Sequence, residues 1–192
     1  FSDEVDFTLT GLNENSLQGD SVIATIMEEF GIKTNYLNNK IHLSKTNKTC
    51  NSFSFDFSDC PDIAQTVAVI CSGLNIPAKL MGLESLKIKE TDRVQALINE
   101  LSKMGANISE SENDTLVIQS GHSLKSGVHI ETYKDHRMAM AFAPLSMITE
   151  NIIITDPAVV SKSYPAFWDD LSSFGFDISQ LFTTDITDKG QD

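Results

Sequence analysis

The stretch Asp135-His136-Arg137-Met138-Ala139-Met140-Ala141-Phe142-Ala143-Pro144-Leu145-Ser146-Met147-Ile148 is apolar nearly all round after its first three residues. An earlier stretch, Asp62-Ile63-Ala64-Gln65-Thr66-Val67-Ala68-Val69-Ile70-Cys71-Ser72-Gly73-Leu74, has the same character. Both are rich in alanine, and their opening aspartates stand 73 residues apart. A helix that is apolar on every face needs neighbours on every face. Both segments are therefore expected as helices at the centre of the fold, with Val67, Ile70, Met138 and Phe142 almost free of solvent.

Around them alternates a second kind of helix. The stripes Val22/Ile23/Ile26/Met27/Phe30, Val94/Leu97/Leu101/Met104 and Phe167/Leu171/Phe174 have helical spacing. Each stripe ends on an aromatic or Met followed by glycine, at Gly31, Gly105 and Gly175, which are 74 and 70 residues apart. Glycine at that place fits the residue just beyond a helix. These amphipathic helices are expected to pack beside the two alanine-rich ones. β-hairpins are expected after the first two glycines, turning near Asn38-Asn39 and near Glu112-Asn113-Asp114. Val5/Phe7/Leu9 and Phe53/Phe55/Phe57 alternate with polar residues, as strands with one wet face do. Val128/Ile130 and Ile152-Ile153-Ile154 also read as strands.

The unit is thus βαβαββ, about 70 residues long and present about two and a half times. The fold class is α/β, with helices inside and sheets outside. No Pro-, Gly- or Ser-rich linker divides the chain. Residues 1–182 read as one globule and 183–192 as a polar tail that frays.

Composition narrows the function. The formal charge of −13 over 192 residues repels nucleic acid and acidic membranes. No apolar stretch is long enough to span a bilayer, and Phe1-Ser2-Asp3-Glu4 does not open like a signal peptide. Cys50, Cys60 and Cys71 are odd in number and form no CxxC pair, which points to free thiols in a reducing compartment, the cytoplasm. The histidines show no zinc-ligand spacing with them, so no metal is expected.

Arginine usage is the sharpest chemical signal. Against twelve lysines there are two arginines, Arg93 and Arg137, each near the start of a helix and beside an aspartate. An arginine fork holds a carboxylate or phosphate through two bonds, which lysine cannot do. Lys87 and Lys89 precede Arg93, and Lys162 precedes the third amphipathic helix. Cations gathered at helix starts in so acidic a chain suit a focused anion site. Taken alone, the same residues also suit structural ion pairs with neighbouring aspartates and solvated surface lysines. Asp62 and Glu90 sit among these cations. They read either as ionised groups for proton transfer or as a helix cap and a helix-dipole charge.

Leu86-Lys87-Ile88-Lys89-Glu90-Thr91-Asp92-Arg93 resembles the Lys-Glu-Thr-Asp-Arg motif of the 5-enolpyruvylshikimate-3-phosphate (EPSP) synthases. In the same order, so do Ser16-Leu17-Gln18-Gly19-Asp20, Pro61-Asp62-Ile63-Ala64, Asp135-His136-Arg137-Met138-Ala139-Met140, and Asp156-Pro157 followed by Lys162-Ser163-Tyr164-Pro165. The likeness runs to about Phe176. It implies an inside-out α/β barrel of βαβαββ units and the C-terminal globule of a two-globule enzyme. By the family's plan, that globule lacks its first strand and helix here and the N-terminal globule is absent, as a chain opening on Phe rather than Met also suggests. The reaction implied moves the enolpyruvyl group of phosphoenolpyruvate to the 5-hydroxyl of shikimate 3-phosphate and releases phosphate, with no cofactor. By the same resemblance, Asp62 and Glu90 are the catalytic base and acid. Arg93, Arg137 and Lys162 hold phosphoenolpyruvate. Asp62, Lys89 and, in place of an asparagine found in some members, Ser85 contact shikimate 3-phosphate. The chain alone is expected to be inactive. Rival readings are a UDP-N-acetylglucosamine enolpyruvyl transferase, which lacks the Lys-Glu-Thr-Asp-Arg string, and a non-catalytic binding module of the same ancestry.

Overall fold

Three successive groups of elements repeat one plan. The first is β1 (Asp6–Thr10), α1 (Ile23–Glu29), β2 (Ile32–Leu37) and β3 (Lys40–Lys45). The second is β4 (Phe53–Asp56), α2 (Ala64–Gly73), β5 (Ala78–Met81), α3 (Arg93–Lys103), β6 (Asn107–Ser111) and β7 (Thr115–Gln119). The third is β8 (Val128–Ile130), α4 (His136–Phe142), β9 (Ile152–Ile154) and α5 (Phe167–Ser173). The structure, a computed structural model, describes residues 1–12, 14 and 16–181. The expected tail at 183–192 lies outside them.

Each group has its own sheet. The middle sheet runs β4-β5-β7-β6, with β4 parallel to β5 and the other pairs antiparallel. The first runs β1-β3-β2, so that β1, β3 and β2 take the places of β5, β7 and β6. The third is the parallel pair β8-β9. Both expected hairpins form. Asn38 and Asn39 have φ of 38° and 60° between paired Leu37 and Lys40, the two-residue turn that matches strand twist. Asn113 and Asp114, at 57° and 51°, close the second between Ser111 and Thr115.

The three amphipathic helices, α1, α3 and α5, stop where glycine appears. At Gly105, φ is 94°; its N–H bonds to Ser102 O, and the next N–H reaches back to Leu101 O. This left-handed closure satisfies the last carbonyls, and a side chain there would be strained.

The core sits around α2, which packs on α3, α4, β5 and β7. Val67, Met138 and Phe142 are fully buried, as expected for helices apolar all round. Ile70 is half-buried instead. It shares one face of α2 with exposed Thr66 and half-buried Gly73, at helical spacing, and that face is only partly covered. The second alanine-rich helix is also shorter than expected. It ends at Phe142 and continues as a 3₁₀ turn over Ala143–Met147, because Pro144 lacks an N–H and its ring clashes with the preceding turn. Of the amphipathic helices, α3 buries Val94, Ala96, Leu97 and Leu101, and α5 sets Phe167 and Leu171 against Ala139 and Ala143. The helix α1 departs from expectation. It lies on β2 and only its Ile26 is fully buried.

Truncating Phe142 to Ala removes a ring from the centre and is expected to cost about 3–5 kcal/mol of unfolding free energy in urea. Leu37→Ala, at a side chain 56% exposed, should change it by less than about 0.5 kcal/mol.

Candidate active site

The starts of three helices carry the site. Asp62 lies in the 3₁₀ turn Pro61–Ile63 that leads into α2. Lys89 and Glu90 lie between the 3₁₀ turn Glu84–Ile88 and α3, and Arg93 is the first residue of α3. Arg137 is in the first turn of α4. Asp92 caps α3 by accepting the Gln95 N–H at 3.0 Å, and Asp135 caps α4 by accepting the Arg137 N–H at 2.8 Å. Gly19 explains part of its own motif. A Cβ there would lie 2.6 Å from the Asp59 carbonyl, so only glycine lets that segment approach the turn bearing Asp62.

Arg93 organises the cluster. Its Nε donates to Asp135 Oδ2 at 2.6 Å, Nη1 to Asp62 Oδ1 at 2.9 Å and Nη2 to Glu90 Oε2 at 2.7 Å. Its side chain is 2% exposed, and Asp135 is fully buried. Arg137 donates to Asp62 Oδ2 at 3.1 Å and to the Asp62 carbonyl at 3.2 Å. Lys89 Nζ is 3.5 Å from Asp62 Oδ1. Five of the seven expected site residues therefore meet: Asp62, Lys89, Glu90, Arg93 and Arg137. Neither arginine spends its fork on its sequence neighbour alone, and Asp62 caps no helix.

The other two, Lys162 and Ser85, stand apart, and so does Lys87, a cation expected beside them. Lys162 closes the 3₁₀ turn Pro157–Lys162, which packs on α4, but it forms no ion pair with the cluster among the described residues. Ser85 is half-buried and makes no side-chain hydrogen bond there. Lys87 turns away to Glu110, at 2.6 Å, and to Asp114, pinning the loop to the β6–β7 hairpin. Asp135 has the opposite history. Its position equivalent to Asp62 in the repeat was the signal for a role that the sequence reading did not assign.

The cluster is electrically balanced: Lys89, Arg93 and Arg137 against Asp62, Glu90 and Asp135. It is not the simple positive focus that the cations suggest in sequence. Burial pushes the Asp62 carboxyl up, but Arg137, Lys89 and Arg93 outweigh it and hold it below its ordinary 3.8. Glu90 is held below its ordinary 4.5 by its own backbone N–H and, against slight burial, by Arg93 and His136. Among the described residues no group of three or more His, Cys, Asp or Glu is placed to hold a metal. Among the same residues no helix is long and apolar enough to cross a membrane. The three cysteines are free thiols, and burial pushes that of Cys71 up to about 12.

Two outcomes follow from this geometry. Both carboxyls have depressed folded values, so the unfolded chain binds protons first as pH falls. Their stabilisation is complete above the unfolded values, 4.5 and 3.8, and is lost as pH drops through the folded ones. In urea melts, the fall in stability below pH 4.5 should be shallower for Asp62→Asn than for the parent. Arg93→Lys keeps the charge but cannot span three carboxylates, and should cost about 1.5–3 kcal/mol in the same melts at neutral pH.

The chain resembles known proteins in sequence and in fold. The family described as EPSP synthase (3-phosphoshikimate 1-carboxyvinyltransferase) matches residues 2–171. A 3-phosphoshikimate 1-carboxyvinyltransferase from Bacteroides fragilis is 45% identical over 179 residues, which cover 92% of this chain and 43% of that protein. The one from Clostridium kluyveri is 37% identical over 174 residues, covering 90% and 40%. Among solved structures, an EPSP synthase from Acinetobacter baumannii superposes with a TM-score of 0.69 at 19% identity, over 90% of this chain and 42% of that one. The enolpyruvyl transferase NikO from Streptomyces tendae gives 0.63 at 14%, over 92% and 40%. The chain spans less than half the length of these relatives. With the family matched over most of its length, on a fold that its members share, the chain belongs to the EPSP synthase family.

Proposed function

We propose that this chain supplies one wall of an active site that transfers the enolpyruvyl group of phosphoenolpyruvate to the 5-hydroxyl of shikimate 3-phosphate. The observation that carries this reading is the meeting of Asp62, Lys89, Glu90, Arg93 and Arg137 at the starts of three helices. Asp62 takes the proton of the 5-hydroxyl as its oxygen bonds to C2 of phosphoenolpyruvate. Glu90 delivers a proton to the methylene carbon, giving a tetrahedral intermediate. The C2–O bond to phosphate then breaks, Asp62 returns its proton to the departing phosphate, Glu90 takes a proton back from the methyl carbon, and the enol double bond returns. Arg93 and Arg137, joined by Lys162, hold the carboxylate and phosphate of phosphoenolpyruvate. Lys89, Asp62 and Ser85 face shikimate 3-phosphate. The compartment is the cytoplasm, where free thiols persist.

In this reading residues 1–182 are a C-terminal globule that works against an N-terminal one. Three features support it. The relatives are more than twice as long. The first sheet has three strands where the middle one has four, with no counterpart of β4. The cluster's charges already cancel, and two phosphorylated anions need further cations to be drawn together. Closure of a second wall brings those and excludes water.

The test is phosphate release from phosphoenolpyruvate and shikimate 3-phosphate. The chain alone is expected to show none, and to bind phosphoenolpyruvate only in the millimolar range, about −4 kcal/mol. Mixed with, or fused behind, the N-terminal half of the Bacteroides fragilis relative, it should turn over, and Asp62→Asn should abolish that turnover. Release by the chain alone at an ordinary enzymatic rate, on the order of 10 per second, would refute the half-site.

A further inference from the structure

The segment joining β8 to α4 is held in an unfavourable shape. Tyr133 and Lys134 are consecutive left-handed residues, with φ of 53° and 59°, and neither is glycine. Side chains resist that region, so such a pair persists only where its surroundings enforce it. The segment ends on Asp135, the fully buried carboxylate that caps α4 and binds Arg93 Nε.

Two residues of α3 grip this segment. Arg93 holds its end through Asp135. Seven residues on, and therefore on the same helix face, Glu100 holds its beginning. The Glu100 side chain is fully buried, and its Oε1 accepts the Tyr133 hydroxyl at 2.7 Å. Oε2 accepts the Glu131 N–H at 3.0 Å and Lys103 Nζ at 2.7 Å. A buried carboxylate needs such partners, and two of these three belong to the one segment. Asn99 Nδ2 donates to the same tyrosine oxygen at 3.4 Å.

We propose that Glu100 and Tyr133 form a clasp that holds the left-handed turn closed, and so fixes Asp135 and through it the Arg93 guanidinium. Both are positioning residues, and neither needs to touch a substrate. The clasp serves the anion site assigned above, and its importance for ligand binding rests on that reading. Opening it lets the turn relax toward ordinary backbone angles, draws Asp135 away, and frees Arg93 Nε from its shortest partner.

The chain has two arginines, so the Nε–H signal of Arg93 is readily assigned by NMR. Tyr133→Phe and Glu100→Gln should speed exchange of that proton with water about tenfold or more, the factor expected when a charge-assisted hydrogen bond is lost. Ile118→Val, a buried deletion in β7, serves as the control for general loss of stability. Equal exchange in the control, or none faster in the clasp variants, overturns the proposal. Should both variants fail to fold, native-state exchange of the unmodified chain decides it. The Glu131 N–H and Arg93 Nε–H should then open together with one denaturant slope, and separate opening overturns the clasp. Phosphoenolpyruvate titrated into the unmodified chain separates the two ideas. If it shifts no resonance at the cluster, the anion site fails while the exchange data still judge the clasp.

Discussion

A single buried guanidinium holds the architecture of the site together. Arg93 reaches Asp62 at the entry to α2, Glu90 in the loop before its own helix, and Asp135 at the entry to α4. Its planar fork directs three donors outward at fixed angles, and each meets a carboxylate from a different segment. A buried charge is tolerated only when it is paired, and here the partners come from three separate segments. The starts of α2, α3 and α4 are thereby gathered on one side of the globule, and that side carries the charged cluster. A network of this kind adds specificity of arrangement more than net stability.

Much of this was readable from residues in order. The asparagine turns, the glycine helix stops and the buried faces of Val67, Met138 and Phe142 depend on near neighbours or on periodicity. The motif strings identified Asp62, Lys89, Glu90, Arg93 and Arg137 before their meeting was visible. What escaped depends on partners far along the chain. Ile70 looked as buried as Val67, because periodicity cannot say which face of an apolar helix has a neighbour. Glu100 drew no reading of its own from the sequence, although its seven-residue spacing from Arg93 puts both on one face of α3. Lys87, expected to join the cations, is claimed by a hairpin that begins twenty residues later. The electrical balance of the cluster could not be read either, since Asp135 enters it only through the fold.

The repeat shows what each unit contributes. In the middle unit, a parallel strand pair places α2 beneath the sheet, and the hairpin after α3 supplies the acids that fix the loop ahead of Arg93. The third unit contributes Asp135 and Arg137 from the helix between its own parallel strands. Among the described residues, the first unit brings no charged residue into the cluster. Its part is steric, through the close approach of Gly19 to the backbone before Asp62.

The edge strand β1 has a consequence for handling the protein. Among the described residues it pairs on one side only, with β3, and it displays Phe7 and Leu9 to solvent. An uncovered edge of this kind is a template on which a second copy can add its own strand, the first step toward ribbons and precipitate. The charge of −13 acts against it by keeping like-charged molecules apart. That protection is ionic and the strand pairing is not. Added salt, which shortens the reach of charge to about 10 Å at 0.1 M, should weaken the repulsion first and leave the sticky edge in place. Colloidal behaviour should therefore worsen with ionic strength, opposite to the salting-in common among weakly charged proteins.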